Sequence, residues 1–130
     1  MIDLPLTLFV YGSLKPGELG YEQIARFVYE FQIAELDGYS LYVRDGLPLI
    51  AKEQFSTGVS GYVLSIKNES VDDFWKLVFE YEGTTNYKFQ DSIPVRVKNA
   101  EIMTGAFVGR KISKGNPVRL QHSWLSLIHI

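Results

Sequence analysis

A chain of 130 residues with 46% hydrophobic and 22% charged side chains is long enough for one core, and we expect residues 1–130 to form a single domain. Its formal net charge of -2, with scattered lysine and arginine, gives no electrostatic case for binding nucleic acid or an anionic membrane. The absence of cysteine excludes disulfides, thiolate catalysis and cysteine-ligated metals. No apolar stretch approaches the roughly 20 residues that span a bilayer, so a cytoplasmic protein is expected.

The first predicted element is a strand that runs into a turn. Residues 6–11 place leucine, leucine and valine at every second position, which is typical of a β-strand. The turn follows at Gly12-Ser13-Leu14-Lys15-Pro16-Gly17. Gly12 can adopt a positive φ and leaves room for a ligand, and successive amides at such a turn can bind an anion. A plain strand-to-helix turn also explains the two glycines, so both interpretations stay open on these residues alone.

The middle of the chain predicts one short helix and several short strands. Apolar residues at helical spacing indicate the helix, and alternating apolar residues bounded by turn residues indicate the strands. The helix runs from about Leu19 to Val28. Two strands follow between Gln32 and Val43, around a turn at Asp37-Gly38. After a turn over Arg44–Pro48 come a short strand over residues 49–51 and a strand from Gly58 to Ile66.

The second half predicts a longer helix and a hairpin. A helix from about Val71 to Glu82 is indicated by N-cap residues before it, acidic residues in its first turn and Gly83 as a C-cap. Strands over Phe89–Val97 and Glu101–Val108 follow, joined by a tight Asn99-Ala100 turn, and Pro94 indicates that the first of them lies at an edge or carries a bulge. An apolar tail at Trp124–Ile128 is expected to pack on the body.

Glu82 lies on the apolar side of the predicted second helix. At 100° per residue it comes within about 20° of Val71, on the side of Trp75 and Val78, whereas Glu80 falls on the opposite side. Burial and the negative end of the helix dipole both favour the protonated carboxyl, which makes Glu82 a candidate general base. Fraying of the helix end would instead let Glu82 reach water, and this alternative stays open.

Tyr11-Gly12-Ser13-Leu14 after an N-terminal strand, with Glu82-Gly83 at the end of a later helix, resembles the γ-glutamyl cyclotransferase-like family in its avirulence-induced-gene-like and γ-glutamylamine cyclotransferase branch. The resemblance covers most of the chain. It extends to Lys15 and Gly17 in the loop, Leu41-Tyr42 before Pro48, the glycine-containing strand at residues 58–64, and Tyr87 after Glu82-Gly83. It implies an α+β fold, namely a small mixed β-barrel with flanking helices, with no metal or cofactor and a pocket between the loop and the glutamate.

The resemblance also implies an activity and roles for six residues. Its substrates are small molecules that carry a γ-glutamyl group, and the α-amino group attacks the γ-carbonyl to give 5-oxoproline and a released amine or amino acid. Glu82 is then the catalytic acid and base, while the amides of Gly12, Ser13 and Leu14 bind the substrate carboxylate or the oxyanion. Tyr87 binds the substrate or orients Glu82, and Tyr11 lines the wall.

Two positions depart from the family pattern, and other functions stay open. Phe79 stands where family members commonly have Asp, and Gly109-Arg110-Lys111 follows a strand where an aromatic residue is more usual. The alternatives are a domain of the same fold that binds a small carboxylated metabolite without turnover, and a protein-interaction module that uses the Trp124 tail.

Several other residues carry structural interpretations. Ser13 is expected to be a turn residue or amide donor, because the second glycine of a nucleophile elbow is missing. His122 and His129 have no flanking carboxylates that would indicate a metal site. Lys15 and Arg44 could each bind a substrate carboxylate, but they are expected to be exposed charges. Trp75 and Trp124 are expected to be core residues.

Overall fold

The computed structural model describes residues 4–44, 46–83, 87–109 and 118–119. In chain order its elements are β1 (Thr7–Val10), α1 (Leu19–Ile24), β2 (Val28–Leu36), β3 (Tyr39–Arg44), β4 (Leu47–Lys52), β5 (Val59–Ile66), α2 (Val71–Glu82), β6 (Tyr87–Val97), β7 (Ala100–Gly109) and β8 (Val118–Arg119). Short 3₁₀ turns at Ala25–Phe27 and Asn68–Ser70 precede β2 and α2. Neither of these described helices combines the length and apolar character needed to cross a membrane.

Five of these strands close into a barrel. Their order is β1-β5-β2-β6-β7, and β1 runs parallel to β7 where the barrel closes, whereas the other neighbouring pairs are antiparallel. A second sheet has the order β4-β3-β8. With α1 and α2 beside the barrel, the expectation of a small mixed β-barrel with flanking helices is confirmed.

The side chains on the two faces of β1 belong to two different hydrophobic clusters. Leu8 and Val10 belong to a cluster that includes the α2 residues Trp75 and Val78, so this side of β1 faces the helices. Phe9 and Tyr11 belong to the other cluster, which consists of residues from the strands and the end of β1. Because successive side chains of a strand point to opposite faces, a single apolar strand contributes to both cores.

The boundary between α1 and β2 differs from the prediction. The helix ends at Ile24, and Val28, which was predicted to be its last residue, begins β2 and pairs with Ile66. β2 therefore starts four residues before the predicted strand at Gln32. The spacing of the apolar residues fits a helix up to Phe27, but pairing with β5 and the strand preference of a β-branched valine determine the structure from Val28 onward.

Two predicted turns are also shifted. Pro48 was predicted to lie in a turn, but it belongs to β4 and pairs with Val43; β4 is an edge strand, where a residue without an N–H is tolerated. The β6–β7 turn consists of Lys98, with φ of 55°, and Asn99, because Ala100 already pairs with Val97. The predicted bulge near Pro94 is confirmed by a register shift between residues 90 and 93. The predicted tail at Trp124–Ile128 lies outside the described residues.

Helix α2 has the predicted bounds and a well-defined attachment. Its buried residues Phe74, Trp75 and Val78 face the barrel, and the Trp75 indole Nε1 donates to the carbonyl oxygen of Pro5 at 2.9 Å. Gly83 ends the helix with a φ of 70°, and its N–H donates to the carbonyl oxygen of Phe79. The helix is thereby fixed beside the barrel with Glu82 as its last residue.

Candidate active site

A cavity of about 360 Å³ lies where the end of β1 and the following loop meet the last turn of α2. All six predicted site residues line it, namely Tyr11, Gly12, Ser13, Leu14, Glu82 and Tyr87. The remaining lining residues were not predicted as site residues, and they are Phe9, Val10, Leu47, Pro48, Tyr81 and Phe107. Its volume lies within the range of small-molecule sites in proteins, roughly 300–1,000 Å³.

The loop after β1 is built from consecutive turns. The N–H of Lys15 donates to the carbonyl oxygen of Gly12 at 3.0 Å, and the N–H of Glu18 donates to that of Lys15 at 2.9 Å. The bond that closes the first turn therefore does not use the N–H groups of Gly12, Ser13 and Leu14. These three groups are the donors expected to bind an anionic part of the ligand.

Gly12 is needed because there is no space for a side chain, and not because its backbone adopts a positive φ. Its φ is not positive; among the glycines of the loop, Gly17 takes that conformation, with φ of 93°. A Cβ on Gly12 would lie 2.7 Å from the Cγ of Pro48, which is closer than real Cβ contacts. Glycine is needed here because the loop passes directly over strand β4.

Gly12→Ala is expected to destabilise the protein by about 1–3 kcal/mol, the usual cost of overpacking a tight site. Pro48→Ala removes the atom that the new Cβ would meet, so the double variant should recover stability relative to Gly12→Ala. Urea unfolding of the three variants and the parent protein measures both effects. If the double variant is no more stable than Gly12→Ala, the contact with Pro48 is not the reason for glycine at this position.

Glu82 is the acidic residue of the cavity. Its side chain is half-buried, and burial raises its pKa from 4.5 to about 7. Glu80, which lies two residues earlier on α2, is exposed. The structure thus places Glu82 at the cavity, as its position on the predicted helix indicated, and leaves it with a proton affinity suited to acid–base chemistry near neutral pH.

Two tyrosine hydroxyls are held by backbone carbonyls. Tyr11 donates to the carbonyl oxygen of Phe107 at 2.6 Å, and Tyr87 donates to that of Pro48 at 2.5 Å. Burial raises both pKa values, and the nearby Glu82 carboxylate raises them further, so both hydroxyls stay protonated. Since the O–H proton of Tyr87 is already donated to a carbonyl, its oxygen can serve a ligand only as a hydrogen-bond acceptor. The Tyr11 oxygen is also hydrogen-bonded by the Ile50 backbone, so this buried side chain forms part of the cavity wall.

The expectation that Lys15 and Arg44 are exposed is wrong. Their exposed fractions are 8% and 7%, and burial lowers the pKa of Lys15 while the carboxylate of Glu18 opposes that shift. Arg44 lies near enough to Tyr87 to lower its pKa against the effect of burial. Opposite charges three residues apart, at Lys15 and Glu18, were the available sequence signal for two charges that lie close together.

Phe79 belongs to an aromatic cluster that joins α2 to the barrel. Its ring centroid lies 5.7 Å from that of Trp75, 5.2 Å from Phe89 and 5.5 Å from Phe107. Phe89 and Phe107 also contact each other, with centroids 5.2 Å apart. The position at which the resemblance leads us to expect Asp is thus used for packing the last turn of α2, one turn before Glu82.

A metal site would need several histidine or carboxylate side chains close together. Within residues 4–44, 46–83 and 87–109, no three histidine, aspartate or glutamate side chains are grouped so that they could hold a metal ion. His122 and His129 lie outside these ranges.

Comparisons with known proteins give one family match and several fold matches. A family model described as gamma-glutamyl cyclotransferase, AIG2-like matches residues 8–126. Among solved structures, the chain is similar to an uncharacterised protein from Pyrococcus horikoshii, with 20% identity and a TM-score of 0.62 over 89% of this chain and 86% of that one. No curated protein matches the chain in sequence.

Two further solved structures have names related to the matching family. One is a gamma-glutamyl cyclotransferase with 16% identity and a TM-score of 0.61, over 87% of this chain and 71% of that one. The other is an AIG2-like protein from Mus musculus, with 13% identity and a TM-score of 0.54 over 82% of this chain and 78% of that one. At these identities the likeness shows a shared fold.

Proposed function

Because the chain belongs to the gamma-glutamyl cyclotransferase, AIG2-like family, we propose that it converts a γ-glutamyl compound into 5-oxoproline and a free amine or amino acid. The observation that carries this proposal is the position and pKa of Glu82. An acid with a pKa of about 7 lines the same small cavity as the Gly12–Leu14 loop, so one bound molecule can touch both.

The proposed reaction forms one C–N bond and breaks another. Glu82 accepts a proton from the substrate α-ammonium, and the resulting amine attacks the γ-carbonyl carbon of the same molecule to close a five-membered ring. The tetrahedral intermediate then collapses as Glu82 returns this proton to the leaving nitrogen. The ring nitrogen still carries two protons, and it loses one of them through Glu82 to the released amine. Two of the three ammonium protons end on the released amine, so the equation balances without a cofactor, and intramolecular attack makes holding the folded substrate the main task of the protein.

The hydrogen-bonding groups around the cavity suit an α-amino acid. Tyr87 and the Glu82 carboxylate present acceptors, which fit the α-ammonium group, while Tyr11 lines the wall beside them. The N–H groups of the Gly12–Leu14 loop are the donors that we assign to the α-carboxylate or the developing oxyanion. The roles of Glu82, the loop amides and both tyrosines are parts of this proposal.

A 5-oxoproline assay tests the proposal directly. We expect the purified protein to release 5-oxoproline from at least one member of a panel of γ-glutamyl amines and γ-glutamyl amino acids. The matched control is the same compound with its α-amino group acetylated, which removes the nucleophile and should abolish the reaction. Release of glutamate from the first compound and of N-acetylglutamate from its acetylated form would indicate hydrolysis. No release of 5-oxoproline from any member of the panel would contradict the proposed function.

The pH dependence of the reaction follows from the raised pKa of Glu82. Below pH 7 the carboxyl is protonated and cannot accept the ammonium proton, so kcat/KM is expected to fall about tenfold per pH unit on the acid side. The apparent pKa of this limb should lie near 7, well above the 4.5 of an ordinary glutamate. Steady-state kinetics between pH 5 and 9 measure it, and a kcat/KM that does not fall between pH 7 and 5 would contradict the assignment of Glu82 as the base.

Phe79 favours one alternative function. Its ring packs among Trp75, Phe89 and Phe107, so this position offers no polar group to support Glu82. A domain that binds a small carboxylated metabolite without turnover is therefore the second candidate. Calorimetric binding of a γ-glutamyl compound without any release of 5-oxoproline would favour it. The interaction module considered from the Trp124 tail depends on residues outside the described ranges.

A further inference from the structure

Tyr81 connects the two sides of the cavity. Its hydroxyl lies 2.5 Å from the Oγ of Ser13, so one of the two groups donates a hydrogen bond to the other. Tyr81 precedes Glu82 in the last turn of α2, whereas Ser13 lies in the loop after β1, 68 positions earlier in the chain. We call this hydrogen bond the Tyr81–Ser13 clasp.

A glycine in α1 makes room for the clasp. A Cβ on Gly20 would lie 2.6 Å from the carbonyl oxygen of Ser13 and 2.7 Å from the hydroxyl of Tyr81. Both distances are shorter than real Cβ contacts, and a backbone oxygen cannot move aside cheaply. Gly20 is also buried, so the loop, α1 and α2 meet closely at this point. The close approach of three elements indicates that the clasp belongs to a packed arrangement.

The clasp joins the two groups that the proposed reaction needs on one substrate. The loop amides at Ser13 and Leu14 lie at one end of it, and Glu82 is the neighbour of Tyr81 at the other. The turns inside the loop, closed by Lys15 and Glu18, fix its local shape but not its position relative to α2. Because the proposed function assigns these amides to binding of the substrate carboxylate, a bond that fixes their position affects substrate affinity without touching the reacting atoms.

We propose that Tyr81 is a positioning residue, which holds the Ser13–Leu14 amides at the distance from Glu82 that a bound γ-glutamyl substrate requires. This inference rests on the proposed function. The clasp acts on substrate affinity, because it holds the amide loop in place, and it leaves the proton transfers to Glu82. The Tyr81 side chain and this hydrogen bond are exposed, so the effect is that of one ordinary hydrogen bond.

Kinetics of three variants test the clasp. Tyr81→Phe and Ser13→Ala each remove one hydroxyl, and each should raise KM about three- to tenfold with kcat within about twofold of the parent value. The double variant should be no worse than either single variant, because both remove the same bond. Tyr29→Phe removes a hydroxyl from an exposed residue on β2 and should change neither constant.

Other results would overturn the proposal. Multiplicative effects in the double variant would show that the two hydroxyls act independently. A fall in kcat with unchanged KM would show that Tyr81 acts on the reacting atoms, and unchanged constants in Tyr81→Phe would show that the clasp has no effect on the reaction.

Hydrogen exchange separates the clasp from the proposed function. The Lys15 and Glu18 amides are bonded within the loop, and their exchange rates, measured by NMR without substrate, should rise about three- to tenfold in Tyr81→Phe but not in Tyr29→Phe. If the parent protein releases no 5-oxoproline while this rise occurs, the proposed function fails and the clasp stands. If exchange is unchanged in Tyr81→Phe, the clasp fails whatever the activity.

Discussion

Glu82→Gln is expected to lower kcat for 5-oxoproline release by about 10²–10⁴-fold, the usual contribution of a general acid–base group. Glutamine has nearly the same shape and can still accept a hydrogen bond from the substrate ammonium, but it cannot take up its proton. KM should therefore change much less than kcat. The measurement is the 5-oxoproline assay at pH 8, where the Glu82 carboxyl of the parent protein is largely ionised.

Glu80→Gln is the matched control for this variant. It makes the same chemical change two residues away on the exposed side of α2, and it should retain the parent kcat. If Glu82→Gln keeps activity within about threefold of the parent protein, the proton transfers belong to another group. Equal losses of kcat in both variants would indicate that the substitutions disturb α2 as a whole, and not that the Glu82 carboxyl transfers the proton.

The stability of Glu82→Gln shows that the variant is folded and tests the pKa independently. Folding raises the pKa of Glu82 from 4.5 to about 7, because the folded protein favours the protonated carboxyl. The contribution of this carboxyl to the free energy of unfolding is therefore fully present below pH 4.5 and is lost as the pH rises through 7. Above pH 7 the parent protein bears the cost of a half-buried carboxylate, which glutamine avoids. Urea unfolding should show the variant more stable by about 1–3 kcal/mol at pH 8 and nearly equal to the parent protein at pH 4.

The position of Glu82 could be predicted because it depends on local periodicity. A helix that starts near Val71 carries residue 82 back to the side of Trp75 and Val78, and Gly83 indicates where the helix ends. The loop after β1 was predictable for a similar reason, since an alternating strand gives way to turn residues at Gly12. Resemblance to a known family then indicated that these two distant segments share one cavity.

The features that could not be predicted depend on pairing between distant segments. The contact of Gly12 with Pro48 requires the register of β4, and the Tyr81–Ser13 hydrogen bond requires the packing of α2 against the loop. Arg44 was interpreted as exposed because an arginine beside a turn usually is, but its place at the end of β3 buries it. Composition and spacing contain no information on such contacts.

Phe79→Asp is expected to destabilise the protein by about 2–4 kcal/mol, although aspartate is the residue that the family pattern has at this position. The ring of Phe79 contacts three other aromatic rings, and truncating a packed phenylalanine typically costs about 3–5 kcal/mol; partial exposure of Phe79 reduces this figure. A carboxylate among these rings would in addition lose hydration without gaining a partner. Urea unfolding at pH 7 measures the loss.

Phe79→Leu is the control that separates packing from charge. Leucine keeps an apolar side chain in the cluster, so we expect a loss of about 1–1.5 kcal/mol and nearly unchanged kcat. Phe79→Asp should also lower kcat under conditions where it is still folded, because the last turn of α2 carries Glu82 and its attachment to Phe89 and Phe107 is weakened. If Phe79→Asp is as stable as the parent protein and more active, Glu82 depends on a polar neighbour at this position, and the aromatic cluster is not what holds it in place.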